Sequence, residues 1–285
     1  GFEDLLSVPQ DEKEYLLNIV IVGAGPTGVE LAGAFAEIKR NILPKDFPLL
    51  ELKNLNIILL EGGPNTLNNL SDLAKTSSER YLKQMGVDIR TNIFVKQYNG
   101  KEVLLSDGMT IKSRKVIWTA GITGNLVEGI DPDSIKNKSR IIVDRYNLVK
   151  GYKNIYALGD LAYMETPKYP NGHPQVANVA INQARNLAVN LKNSGSNKPL
   201  RQYEYRNLGT MATIGKNKAV VDLPFMSFKG YFAWFIWMFL HLMLILSVRN
   251  KLIIFINWAW SYITRDTSLR LILKDPDNNT NTQQA

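Results

Sequence analysis

Three glycines, Gly23, Gly25 and Gly28, have the spacing G-x-G-x-x-G, and their flanks give that spacing meaning. Asn18-Ile-Val-Ile-Val22 before them is a short β-branched apolar run, as a buried parallel strand is. Val29-Glu-Leu-Ala-Gly-Ala-Phe-Ala-Glu-Ile38 after them reads as a helix. In such a strand–turn–helix the first glycine permits the tight turn. The second lets backbone approach a pyrophosphate, and the third lets helix and strand pack closely. The loop Gly23, Ala24, Gly25, Pro26, Thr27 and Gly28 is therefore expected to hold a dinucleotide, its phosphates against the free N–H groups and positive end of the helix. A second apolar strand, Leu55–Leu60, ends in Glu61. An acid there suits the adenosine ribose hydroxyls and repels a 2′-phosphate, which predicts NAD(H) over NADP(H). Glu61 follows the loop at more than the usual interval of about 20 residues, so an insertion is expected over 40–53.

A second group of residues lies further on. Gly159-Asp160 follows the apolar run Ile155–Leu158, read as a strand. An Asp in that position is commonly a helix N-cap. Asn178 and Asn182 lie four apart on one face of a helix expected at roughly 175–192, where plain surface polarity is the simple alternative. His173 reads as a loop residue beside that helix, and His241 as a packed or interfacial residue in an apolar run.

The elements that must position these groups alternate. Helix is expected at 71–85, strand at 87–91, and short strands at 102–105, 109–112, 116–118 and 141–143. Strands alternating with helices imply a parallel α/β sheet with right-handed crossovers. Residues 193–199 read as a linker and 203–222 as β-like. Residues 231–248 then form an uncharged run of 18, and Leu252–Ile263 a second apolar run. These two runs hold Trp234, Trp237, Trp258 and Trp260, with Tyr231 and Tyr262. Aromatics of this kind suit the membrane interface better than a core, and Arg249, Lys251, Arg265 and Arg270 beside them suit anionic headgroups. The first run only reaches the lower limit for spanning and the second is too short.

The 285 residues carry 34 basic against 26 acidic side chains. Cysteine is absent, which excludes disulfides, thiolate metal sites and redox dithiols; two distant histidines offer no metal centre, so no metal is expected. The basic residues are too dispersed for a nucleic-acid surface.

These motifs together resemble the two-dinucleotide-binding-domain flavoproteins, in which an NAD domain is inserted into an FAD domain. In particular the chain resembles the type II NADH dehydrogenases, membrane-associated NADH:quinone oxidoreductases. Three features carry this: Val22-Gly-Ala-Gly-Pro-Thr-Gly-Val-Glu30-Leu-Ala; Ile155-Tyr-Ala-Leu-Gly-Asp160 with Pro174-Gln-Val-Ala-Asn-Val-Ala-Ile-Asn-Gln183; and the Trp-rich C-terminal pair. The likeness spans roughly 15 to 273.

The resemblance implies an α/β fold with a Rossmann-like NAD domain (1–115), the C-terminal part of an FAD domain (116–195) and amphipathic membrane-binding helices (196–285). It implies FAD against Ala120, Gly121, Gly159, Asp160, Val176 and Ala177, and Glu30 as the acid near nicotinamide and flavin. The competing reading of Glu30 is an acid favoured by about 0.3–1 kcal/mol near a helix N-terminus. It further implies a quinone at Asn178, Asn182 and Gln183, where the family's Ala-Gln-x-Ala-x-Gln-Gln here has Asn at two of three amide positions, each retracted by one methylene.

The expected activity is oxidation of NADH through FAD to a membrane quinone, without proton pumping. The expected place is the cytoplasmic face of a bacterial inner membrane, held by residues 230–273, with room for a homodimer. A soluble NADH-dependent flavin reductase and a low-turnover membrane-bound NAD sensor are the competing readings. No glycine loop for the ADP half of FAD precedes residue 18, so the chain is expected to correspond to the C-terminal two-thirds of such an enzyme.

Overall fold

The computed structural model describes residues 8–48, 52–136, 139–244 and 248–264. They divide into two compact units, one made of the residues up to Thr119 with those from Gly209 onward, the other of Ala120–Leu208.

The first unit begins with helix α1 (Gln10–Leu17), strand β1 (Asn18–Val22), helices α2 (Pro26–Asn41) and α3 (Leu43–Asp46), strand β2 (Asn56–Leu60), helix α4 (Asp72–Gln84) and strand β3 (Asp88–Arg90). Strands β4 (Val95–Tyr98), β5 (Glu102–Leu105), β6 (Thr110–Lys112) and β7 (Lys115–Trp118) follow. β3, β2, β1 and β7 form a parallel sheet in that order, with Ile19 opposite Ile57 and Val20 opposite Val116. All five residues of β1 are buried, which is why its sequence is continuously apolar rather than alternating. α2 turns Val29, Ala32 and Ala36 onto this sheet; their spacing of three and four places small side chains on one face, so the helix packs close. Ser71 caps α4 by accepting the Ala74 N–H at 3.3 Å. The expected insertion after α2 contains the short helix α3. β4, β5 and β6 form a separate antiparallel sheet.

The chain returns to this unit with strands β11 (Thr210–Thr213), β12 (Ala219–Leu223) and β13 (Met226–Gly230), and helices α6 (Tyr231–Leu244) and α7 (Val248–Thr264). The strands form an antiparallel meander. Its alternation has two uses. Ala212, Ile214 and Val220 join the core formed by β1, β2, α2 and α4, while Ala219 and Val221 pack on Ala233 of α6. Residues 209–264 are thus built onto the dinucleotide-type sheet, and the division of the first unit falls after β7 rather than before it.

The second unit contains β8 (Ile135–Lys136), β9 (Arg140–Val143), β10 (Ala162–Met164) and helix α5 (Ala177–Ser194). Val179 of α5 packs with Ile141, Val143 and Met164. Two expectations differ here. Residues 155–158 form no regular strand; the Ala157 N–H bonds to the Asn147 carbonyl and Asn147 Nδ2 to the Ala157 carbonyl, so the turn at 144–149 takes the backbone groups a strand would have paired. The alternation at 203–205 places Tyr203 and Tyr205 in the core without a strand.

Candidate functional site

The glycine loop is held from three sides. The Gly23 N–H donates to the Leu60 carbonyl at 2.8 Å, and Thr119 Oγ1 donates to the Val22 and Gly23 carbonyls, each at 2.9 Å. Gly23 has φ +100, a left-handed conformation that favours glycine. A Cβ on Gly28 would lie 1.8 Å from the Gly23 carbonyl oxygen, so only glycine lets α2 leave the turn there. A Cβ on Gly25 would meet nothing within 4 Å. Gly25, Pro26 and Thr27 are exposed, and no side chain caps α2. The first-turn N–H groups of α2 therefore face open space beside an accessible glycine, the arrangement a pyrophosphate requires.

Glu61 follows β2 as expected. Its Oε2 accepts the Ala24 N–H at 2.7 Å and its Oε1 the Gly63 N–H at 2.8 Å, with Asn68 Nδ2 at 3.3 Å. The acid is fixed beside the loop. Two carboxylate oxygens offer about four acceptor positions, three of them taken by these donors, so about one remains for a hydroxyl. These residues fit NAD.

Glu30 is the fifth residue of α2, beyond the first turn where the helix dipole acts most strongly. Its Oε1 accepts the Thr213 N–H at 3.1 Å and Oγ1 at 3.4 Å, tying α2 to β11. Glu30 also lines an apolar cavity of about 540 Å³ between α2, α6 and α7, with Trp234, Trp237, Trp258 and Tyr262 among its walls. The dinucleotide loop and this cavity share one helix, and Gly25 and Glu30 are separated along it by about 7.5 Å at roughly 1.5 Å per residue.

In the second unit, Gly159 has φ +66 and a Cβ there would lie 2.9 Å from Ala180 Cβ, so the Gly159-Asp160 turn packs directly on α5. Gln183 is fully buried, and its Oε1 accepts the Gly159 N–H at 2.7 Å while its Nε2 has no partner among the described residues. Gln183 therefore holds the turn. Asn182 Nδ2 donates to Asn178 Oδ1 at 2.7 Å, and both residues are half-buried. The Asp160 carbonyl accepts from Gln175 Nε2 at 2.9 Å. Val176 precedes α5 without a side-chain cap, leaving N–H groups at Ala177 and Asn178 beside Val176, which is exposed. Ala120 and Gly121 open this unit, with Gly121 exposed. An uncapped helix end beside an acidic turn fits the polar part of a flavin.

His173 is in the loop before α5, as expected, and is buried there at 1% exposure. Its Nε2 is 3.3 Å from Thr166 Oγ1, and Tyr169 and Tyr203 meet its ring edge-on. Burial lowers its pKa below 6.5, with Glu204 opposing and Arg140 and Arg145 reinforcing the shift. This cluster was not legible in sequence, because Tyr203 lies 30 residues beyond His173 and each segment has an unremarkable neighbourhood. Burial also pushes the Tyr203 phenol up to about 12.

α6 and α7 pair through their aromatics, with Trp237 and Trp258 stacked at 6.3 Å and Trp234 and Tyr262 at 5.7 Å. Their other faces carry exposed Phe232, Phe239, Ile256, Trp260 and Ile263. His241 is exposed and stacked on Trp237 at 4.2 Å. No described helix is long and apolar enough to cross a membrane. Arg265, Arg270 and the remainder of the expected lipid-binding range to 273 lie outside the described residues. Among the described residues no group of three His, Cys, Asp or Glu could hold a metal ion.

The model of the pyridine nucleotide-disulphide oxidoreductase family matches residues 4–184, and that of the NDH2 C-terminal domain matches residues 207–266. The type II NADH:quinone oxidoreductase NdhA of Mycobacterium tuberculosis is 32% identical over 273 residues, covering 91% of this chain and 57% of that protein. The internal alternative NAD(P)H-ubiquinone oxidoreductase A1, mitochondrial, of Arabidopsis thaliana is 29% identical over 276 residues, covering 90% of this chain and 53% of that protein. The chain thus spans little more than half the length of these relatives. The structure of NDH2 from Plasmodium falciparum in complex with NADH superposes with a TM-score of 0.81 at 19% identity, covering 90% of this chain and 68% of that one.

Proposed function

The chain belongs to the pyridine nucleotide-disulphide oxidoreductase family, in its type II NADH dehydrogenase branch, and we propose that it carries out FAD-dependent oxidation of NADH with electron transfer to a membrane quinone. The observation that carries this is the open glycine at the uncapped start of α2 with Glu61 bonded beside it, which suits NADH.

In this reading the α2 N-terminus takes the pyrophosphate and Glu61 the adenosine ribose. Asp160, Gly159, Ala120, Gly121, Val176 and Ala177 hold FAD, which supplies the two-electron chemistry. Glu30 keeps an ionisable group at the polar edge of an apolar cavity, where it orients the nicotinamide or delivers a proton. Asn178 and Asn182 offer amides to the quinone, and Gln183 supports them by fixing the Gly159 turn. In this reading the residues up to Thr119, with those from Gly209 onward, carry the nicotinamide and membrane parts, and Ala120–Leu208 the flavin part.

α6 and α7 support peripheral attachment. Their exposed Phe232, Phe239, Ile256 and Ile263, beside interfacial Trp260 and Tyr262, suit insertion into one leaflet. We assign these faces to lipid rather than to a second copy. The finer assignment is the cytoplasmic face of a bacterial inner membrane.

The test is quinone-dependent oxidation of NADH by the intact protein bound to liposomes, with NADPH for comparison. Turnover with NADH that stops without quinone is expected. Equal turnover with NADPH, or acceptance only by a soluble redox protein, contradicts the proposal.

A further inference from the structure

We propose that a basic recess at the end of α2 binds the phosphate of an anionic phospholipid headgroup, so that membrane attachment discriminates among lipids. The inference rests on the peripheral-membrane reading above and deepens it.

The recess has a volume of about 740 Å³, within the range of small-molecule sites. Its charged lining is Glu37 and Arg40 of α2 with Lys216 and Lys218 of the turn between β11 and β12, and its rim includes Tyr262 and Ile263 near the end of α7. The single acid is already engaged, since Glu37 Oε1 accepts the Lys216 N–H. Lys216 is engaged too: its Nζ donates to the Tyr262 carbonyl at 2.8 Å and lies 3.9 Å from the Tyr262 ring centroid. Arg40 and Lys218 differ. Neither forms an ion pair among the described residues, and the Lys218 Nζ lies over the Tyr81 ring at 5.5 Å. Arg40 in the last turn of α2 gains some stabilisation from the helix dipole. That accounts for one cation but not for Lys218, which is on a turn.

The neighbouring surface decides what kind of anion fits. The recess shares Ala34, Glu37, Lys216, Tyr262 and Ile263 with the apolar cavity between α6 and α7. A ligand lying across this shared wall has an anionic head and an apolar tail. Ile263, exposed at 78%, brings the rim to the side of α7 that carries Trp260. Basic pockets at membrane-facing helices bind lipid phosphates in this way. A neutral quinone has no charge for Arg40 or Lys218 to meet.

The experiment is flotation of the intact protein with vesicles of phosphatidylcholine alone and of phosphatidylcholine doped with phosphatidylglycerol. It compares the wild type with Arg40→Gln/Lys218→Gln and with a control that removes two exposed cations elsewhere, Lys96→Gln/Lys101→Gln. The expected result is tighter partitioning of the wild type onto the anionic vesicles, retained by the control and by Arg40→Lys/Lys218→Arg. The Arg40→Gln/Lys218→Gln variant should lose that preference about tenfold or more, from roughly 1 kcal/mol per cation near a charged surface. Equal losses in the control and the test variant show diffuse surface charge and overturn the site. So does an undiminished preference in the test variant. Displacement by inorganic phosphate at matched ionic strength makes it a free-anion site and overturns the lipid assignment. Binding to both vesicles without preference contradicts the headgroup site alone, whereas binding to neither contradicts the peripheral-membrane reading itself.

Discussion

Glu61 Oε2 accepts the backbone N–H of Ala24 at 2.7 Å, so the acid that ends one strand clasps the glycine loop that follows another. The Gly63 N–H on Oε1 fixes the second oxygen. A carboxylate held in this way is pre-oriented before any ribose arrives, which lowers the ordering cost of binding.

Glu61→Gln turns one of these oxygens into a donor facing an N–H and removes the charge. Hydrogen bonds to charged groups contribute about 1.5–3 kcal/mol, so NADH binding should weaken by roughly tenfold or more and rejection of NADPH should relax. Titration calorimetry with both nucleotides checks this. An unchanged preference contradicts the ribose assignment.

Gly25 and Gly28 should behave oppositely on substitution. A methyl at Gly28 collides with the Gly23 carbonyl, so Gly28→Ala should unfold the loop and lower Tm. A methyl at Gly25 meets open space and its φ of −69 is ordinary for any residue, so Gly25→Ala should leave Tm unchanged. The same methyl occupies the approach of the pyrophosphate, and NADH affinity should fall at least about tenfold, on the order of 1.4 kcal/mol. Unchanged affinity in Gly25→Ala would remove the loop from the site.

The amides on α5 separate in the same manner. Gln183→Ala leaves the buried Gly159 N–H unpaired, which costs about 1–3 kcal/mol, and both half-reactions should fall together with stability. Asn182→Ala loses its bond to half-buried Asn178. It should raise the quinone KM and spare reduction of a soluble dye by NADH. If dye reduction falls equally, Asn182 is structural.

His173 predicts a pH dependence. The unfolded chain takes up a proton near pH 6.5 while burial keeps the folded imidazole neutral, so the unfolded state binds more protons below that pH. Stability should be full above about pH 6.5 and fall as the pH drops. Denaturant titrations across this range check it, and the slope should flatten in His173→Gln. An identical slope in that variant assigns the effect to other groups.

The legible parts of the sequence were those whose signal is local. The run 18–22, the glycines after it and Glu61 stand next to the elements they serve, and β1, α2 and β2 are where those residues imply. What escaped the sequence depends on contacts made at a distance. The meander 210–230 has Val220 facing the first unit's core and Val221 facing α6, and nothing local says that it joins β1 and β2 rather than the residues just before it. Gln183 has the residue type and place of a substrate contact, yet it spends its carbonyl on Gly159, 24 residues away. Glu30 has two readings in the sequence, an acid near the nicotinamide and a helix-end acid, and its bond to Thr213, 183 residues away, is legible in neither.

The central claim is tested most directly by anaerobic stopped-flow absorbance on the intact protein in liposomes, with NADH added first and a quinone second. Flavin bleaching by NADH followed by rapid recovery on quinone is the predicted result. Bleaching without recovery would contradict quinone as the acceptor, and no bleaching at all would contradict the proposed enzyme.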